Sequence, residues 1–122
     1  MGKVYAKTHI FQSAITTGTT AVGTPADVSG LSYAGFQVIG LSTGTVQFEG
    51  NITSGESVGS TTTWVAIRAT DQNSGTAGTT AAADGIYTMD VRGIVAIRAR
   101  ITTVSIVKDG RVDVYGFMQG EI

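Results

Sequence analysis

The sequence predicts an all-β fold: a single-domain antiparallel β-sandwich, jelly-roll or immunoglobulin-like, of about eight strands with an extended amino-terminal segment. Three observations predict it. Apolar side chains alternate with a period of two through the stretch from Phe36 to Ala69, at Phe36 and Val38, at Val46 and Phe48, and around Trp64, the pattern of strands half buried in a sandwich. No run carries the 3.6-residue period of a helix, and Ala81 to Ala83 is too short to nucleate one. The length of 122 residues suits one core, since single domains form at about 100 to 150 residues.

Taken in order, Val4, Ala6, Thr8 and Ile10 alternate with Tyr5, Lys7, His9 and Phe11, which reads as a strand with one apolar and one mixed face, or as an arm. The following Thr-rich stretch is broken by Gly18, Gly23 and Pro25 and predicts extended backbone with turns. Pro25 cannot donate into a central ladder, so Ala26 to Val28 reads as a short edge strand. Residues 1–30 are thus an extended amino-terminal arm or edge strands, and residues 31–122 the sandwich domain. Tyr33 to Ile39 and Val46 to Gly50 are expected to form a hairpin turned at Gly40 to Gly44. The polar insert Asn51 to Thr63 is expected to be an exposed, mobile loop. Trp64 to Thr70 re-enters the core, and Asp71 to Asp84 forms a second long loop. The last strands are Tyr87 to Val91, Ile94 to Ile101 and Val112 to Met118, with Asp109-Gly110 as turn chemistry before the last. Two echoes, VAIRA at Val65 and at Val95 and a Gly-x-Val-x-apolar-x-Gly frame at Gly44 and at Gly110, differ in spacing and sustain no repeat.

Composition narrows the function. Charged residues make up 14% of the chain against about 25% in typical domains, and the net charge is −1. A surface so weakly charged favours association. The eight Lys and Arg balance nine Asp and Glu and form no run, so no nucleic-acid footprint is present. With no cysteine, disulfides, thiolate metal sites and a cysteine nucleophile are excluded. His9 is the single histidine, which removes His-based metal triads and Ser-His-Asp sets. The carboxylates are scattered, none grouped as a calcium loop requires, and Glu49 in FEG reads as a residue of a solvated strand face. No glycine run leads into a helix as a phosphate loop would. We therefore expect no enzyme, no cofactor and no metal. No signal sequence opens the chain, Ala6 stands where myristoylation of Gly2 would want Ser or Thr, and no apolar run approaches the roughly 20 residues of a membrane helix. A soluble chain made in the cytoplasm, without membrane partners, is expected.

Arginine is the one charged residue concentrated on strands. Arg68 and Arg98 lie in the two VAIRA runs, with Arg92 and Arg100 beside the second. Each either faces solvent or joins a row on a sheet face that pairs with a partner subunit, where a planar guanidinium is favoured over lysine. Trp64, Phe36 and Phe48 read as core rather than as a sugar platform, since one Trp, four Tyr and four Phe must fill the domain.

The order FQVIG, GTVQFEGN, TWVAIRAT, GIYTMDVRGIVAIRARI and a final V-x-V-Y-G resembles small structural virion proteins of tailed bacteriophages. The resemblance spans Phe36 to Gly116. The chain departs from the commonest form by a longer insert between Glu49 and Trp64 and by the tail FMQGEI. The resemblance implies a virion location and a capsid decoration (cement) protein, or a tail, head-tail connector or head-fibre subunit. The implied partners are the major capsid protein or other virion subunits and further copies of the chain, a trimer being the expected oligomer. The amino-terminal segment, with Val4, Tyr5, Ile10 and Phe11, is expected to order mainly against a neighbour by strand addition, and Arg68, Arg92, Arg98 and Arg100 are the other candidate contacts. A carbohydrate-binding module for adhesion to a host is the alternative of a different class, weakened because the two long loops hold no aromatic residue.

Overall fold

The structure, a computed structural model, describes residues 4–16, 21–52, 64–107 and 111–121. The insert expected to be a loop lies, at residues 53–63, outside the described residues, as does the Asp109-Gly110 turn. Eleven strands run through the described residues: β1 (Val4–Ile15), β2 (Ala26–Asp27), β3 (Tyr33–Ile39), β4 (Leu41–Asn51), β5 (Val65–Ala66), β6 (Ala69–Asp71), β7 (Ala77–Gly78), β8 (Thr80–Ala81), β9 (Gly85–Asp90), β10 (Ala96–Val107) and β11 (Val112–Glu121). They form an antiparallel sandwich. One sheet has six strands in the order β1-β11-β3-β9-β6-β7; the other has five, β2-β10-β4-β5, with β8 also on β4. The predicted β2 edge strand is present, bonded to Ala96 and Ile97 of β10. Among the described residues no helix is long and apolar enough to cross a membrane.

Consecutive strands repeatedly change sheet, and this corrects three expectations. β3 and β4 are not a hairpin, because they belong to opposite sheets. Gly40 turns the corner at φ +91°, and a Cβ there would stand 2.1 Å from the Arg111 carbonyl oxygen. The Gly40 and Leu41 amides donate to the Asp84 carboxylate at 3.0 and 2.6 Å, which satisfies the two donors that the corner frees from any ladder. Trp64 to Thr70 is likewise not one strand. β5 pairs with β4, Ile67 N donates to Phe48 O at 2.9 Å, and β6 then pairs with β9 in the other sheet. Nor is Asp71 to Asp84 a free loop: its small residues let β7 fold back on β6 and β8 lie against β4.

The amino-terminal segment is built into the sandwich. β1 pairs with β11 from Val4↔Glu121 to Ile15↔Val112, with a bulge at Phe11. A bulge adds one residue and breaks the alternation, so Phe11 and Gln12 are both buried. Phe11 begins a run of rings through Phe36 and Phe48 to Tyr87, with centroids 4.8, 4.7 and 5.4 Å apart, which ties β1, β3 and β9 to β4 across the two sheets. Gly116 makes the room: a Cβ there would lie 2.1 Å from the Phe11 ring. Gln12 Nε2 reaches across to Ala99 O at 2.7 Å and to Ala21 O at 3.0 Å. Lys7 Nζ donates to Asp27 O, and His9 Nε2 bonds Thr24 O, both at 2.8 Å. These bonds close the side of the sandwich where β1 faces β2. The expectation of a segment ordered mainly against a neighbour fails because Phe11 alone supplies a large apolar anchor.

Two carboxylates at this end make stability sensitive to acid. The Arg111 guanidinium, with the Ala14 amide behind it, holds the Asp113 carboxyl below its ordinary value of 3.8, and the Ser29 hydroxyl and amide do the same for Asp27. A carboxyl depressed in the folded state stabilises it fully above the unfolded value, and that contribution is lost as pH falls through the folded value. Urea midpoints are therefore expected to hold from neutral pH down to about 4 and to decline below it. Asp113→Asn should flatten part of that decline.

Candidate interaction surfaces

Alternate positions on neighbouring strands build a polar cluster on the outer face of the five-stranded sheet. Gln47, Glu49 and Asn51 of β4 share that face with Ala96, Arg98 and Arg100 of β10, and Glu49 lies directly opposite Arg98. The Glu49 carboxylate accepts from Arg98 Nε at 2.7 Å, Arg100 Nε at 3.1 Å and Gln47 Nε2 at 2.7 Å. The Trp64 ring lies 4.3 Å from the Arg98 guanidinium carbon, a cation–π contact. Side-chain exposure is 1% for Arg98 and 5% for Glu49. Neither residue is where the sequence suggested: Glu49 is not on a solvated face, and Arg98 is not presented to a partner. The indole of Trp64 lies against the guanidinium and helps exclude water from the pair.

The other candidate contacts are dispersed. Arg100 is part-exposed and paired with Glu49. Arg92 sits in the turn after β9, exposed, gripping Asp90 through its guanidinium and backbone amide; that grip lowers the Asp90 carboxyl to about 2. Arg68 is exposed where the chain passes between the sheets. Thus the four arginines make no row. Of the amino-terminal candidates, Val4 and Tyr5 pair with Glu121 and Gly120 in the ladder, Ile10 is 54% exposed and Phe11 is buried in the core at 1%. Phe11 therefore cannot touch a partner, because the bulge turns it inward.

The outer face of the six-stranded sheet is the surface that sequence reasoning missed. Tyr33, Ile86, Tyr115 and Phe117 are each between 39% and 49% exposed and lie with Ile10 around a shallow groove of about 880 Å³. The groove floor includes Gly35 and Gly116. A signal was present: β11 carries Val112, Val114 and Met118 on its core side and Tyr115 and Phe117 on the other, so both faces of one strand are apolar. A sandwich strand with one solvated face should alternate apolar with polar residues. Exposed apolar patches of this kind mark interaction sites.

Among the described residues no group of three or more His, Cys, Asp and Glu side chains could hold a metal. His9 is engaged with the Thr24 carbonyl, and Asp90, Asp113 and Glu49 are each bonded to arginine.

No protein-family model matches the chain, and no curated protein matches it either. Solved structures that share its fold include those of YomS and XepA. The SPBc2 prophage-derived protein YomS superposes with a TM-score of 0.75 over 98% of this chain and 97% of its own, at 15% identity. The PBSX exported protein XepA superposes with a TM-score of 0.77 over 98% of this chain at 16% identity, and the chain spans 39% of XepA. The whole described chain is thus a β-sandwich of the architecture found in YomS and in part of XepA.

Proposed function

We propose that the chain is a non-catalytic structural protein of a bacteriophage particle, acting within it as a capsid decoration protein. The observation that carries this reading is the uncovered apolar face of the six-stranded sheet, with Tyr115, Phe117 and Ile10 turned outward. Such a face is suited to contact with protein. The shared architecture with a prophage-derived protein, over nearly all of both chains, supports the phage setting. The start of β1 adds a second mode of attachment: β1 ends its sheet, and the part of its edge before the bonds of Lys7, His9 and Phe11 to Asp27 and Thr24 can accept a strand from a capsid subunit, with many copies adding avidity.

Adhesion to a host glycan is the second reading, because Tyr33, Tyr115 and Phe117 are exposed rings of the kind sugars stack on. The polar groups around the groove are Thr8, His9, Gln37, Thr88 and the Tyr33 and Tyr115 hydroxyls. Of these the His9 ring is taken by the Thr24 carbonyl and the Thr88 hydroxyl by Gln72, and none carries the charge with which a carboxylate grips a sugar hydroxyl. Protein contact is therefore favoured.

Quantitative mass spectrometry of purified particles tests the proposal. Copies in the hundreds, on the scale of the major capsid protein, are expected for decoration. A ring-like stoichiometry would move the chain to a connector or tail, and a chain found free in the medium but absent from particles would overturn the virion reading.

A further inference from the structure

The exposed face of the six-stranded sheet has an internal order that points to its occupant. Across β1, β11, β3 and β9 the register sets Ile10, Tyr115, Gln37 and Ile86 in one row and Thr8, Phe117, Gly35 and Thr88 in the next. The ends of each row match in residue type about the line between β11 and β3, while in the middle a ring on β11 stands beside a smaller or flatter residue on β3, so the two halves are complementary. We propose that this face packs against the same face of a second copy, about a two-fold axis nearly parallel to the strands and lying between β11 and β3. The inference rests on the structural role proposed above and names the partner that covers its apolar face.

Such an axis exchanges β1 with β9 and β11 with β3. Ile10 then lies over Ile86 of the second copy, Thr8 over Thr88, Tyr115 over Gln37, and Phe117 over the hollow at Gly35. The knob and its hollow are adjacent in one chain, which is what an isologous interface requires. Neither row contains a charged residue, so the pairing brings no like charges together. Stacked sheets pack about 10 Å apart with strands near −30° to one another, which this pair reaches when the axis is inclined by about 15° to the strands.

The size of the face sets the strength. Four strands about 4.8 Å apart, each about seven residues long at 3.4 Å per residue, give a footprint of roughly 450 Å² per copy before side-chain relief is counted. Both copies together reach only the lower end of specific interfaces, at about 1,200 Å² with that relief included. A weak pair is expected, dissociating at about micromolar concentration and reinforced where copies are crowded on a particle. This two-fold pair differs from the trimer expected from the sequence, which a mass measurement separates.

The absence of cysteine makes thiol cross-linking clean. In the full chain carrying Ile10→Cys and Ile86→Cys, a short bismaleimide is expected to give covalent dimers. The single Ile10→Cys variant should not, because the two Ile10 positions of the pair stand about 14 Å apart sideways, three strand spacings. Gly35→Leu fills the hollow and should reduce the cross-linked yield at least tenfold. It should leave the thermal midpoint unchanged, since a Cβ at Gly35 meets nothing closer than Thr88 Cγ2 at 3.6 Å. Equal cross-linking by the single and double variants, insensitivity to Gly35→Leu, or a wild-type chain that sediments only as monomer or trimer would each overturn the two-fold pair. Those outcomes leave the virion reading to the particle copy number, so the two proposals fail separately.

Discussion

Glu49→Ala is expected to destabilise the domain by about 3–5 kcal/mol, the usual cost of removing one member of a buried ion pair. The carboxylate is the counter-ion of Arg98, whose side chain is 1% exposed, and also of Arg100. Without it a guanidinium is held under the Trp64 ring with no compensating charge. For a domain of this size the loss corresponds to a fall of roughly 10–20 °C in the melting midpoint. The double variant Glu49→Leu/Arg98→Met should recover much of that loss, because apolar residues of similar volume often replace a buried pair at little cost. Thermal denaturation of the single variants and the double variant measures the coupling directly. A Glu49→Ala midpoint within a degree or two of wild type would mean that water reaches Arg98.

Phe11→Ala is expected to cost about 3–5 kcal/mol, as large ring deletions from packed cores do. Phe11 is the first ring of the line that runs through Phe36 and Phe48 to Tyr87, and the surrounding backbone cannot collapse into the void because Gly116 and Gly23 are already held close against Phe11 and Gln12. Deleting residues 1–11 should be worse, since it removes this ring and the β1 ladder from Val4 to Ile10 on β11 together. Urea denaturation monitored by far-UV circular dichroism is the measurement. An unchanged midpoint for either variant would mean that β1 docks only in the presence of a partner.

Little of the candidate surface was legible in the sequence, even within one strand. Alternation grouped Ile10 with Val4 and Ala6 on the apolar side of its strand, yet Ile10 is 54% exposed and Phe11 is the buried residue, because the bulge after Ile10 breaks the period. Tyr33, Ile86, Tyr115 and Phe117 could not be brought together from the sequence, because their nearness is a product of β11, β3 and β9 pairing in one register. These strands are far apart in the chain. The buried cluster posed the same difficulty: nothing local to Phe48-Glu49-Gly50 tells that Arg98, 49 residues away, will stand opposite in the ladder.

By itself the sequence determined the all-β class, the β2 edge at Pro25 and the inward side of β3 and β4 at Phe36, Val38, Val46 and Phe48, because these follow from side-chain periodicity and from what proline permits locally. The tertiary structure alone decided which sheet each strand joins. The two VAIRA runs make the point: Ala96 to Ala99 stay in one strand and bury Arg98, while the chain at Ile67 and Arg68 passes from one sheet to the other and leaves Arg68 exposed. Identical local propensity met different neighbours. A Gly40 corner and a hairpin turn likewise ask for the same residue types, and only the Arg111 carbonyl and the Asp84 carboxylate, brought in from distant segments, select the corner.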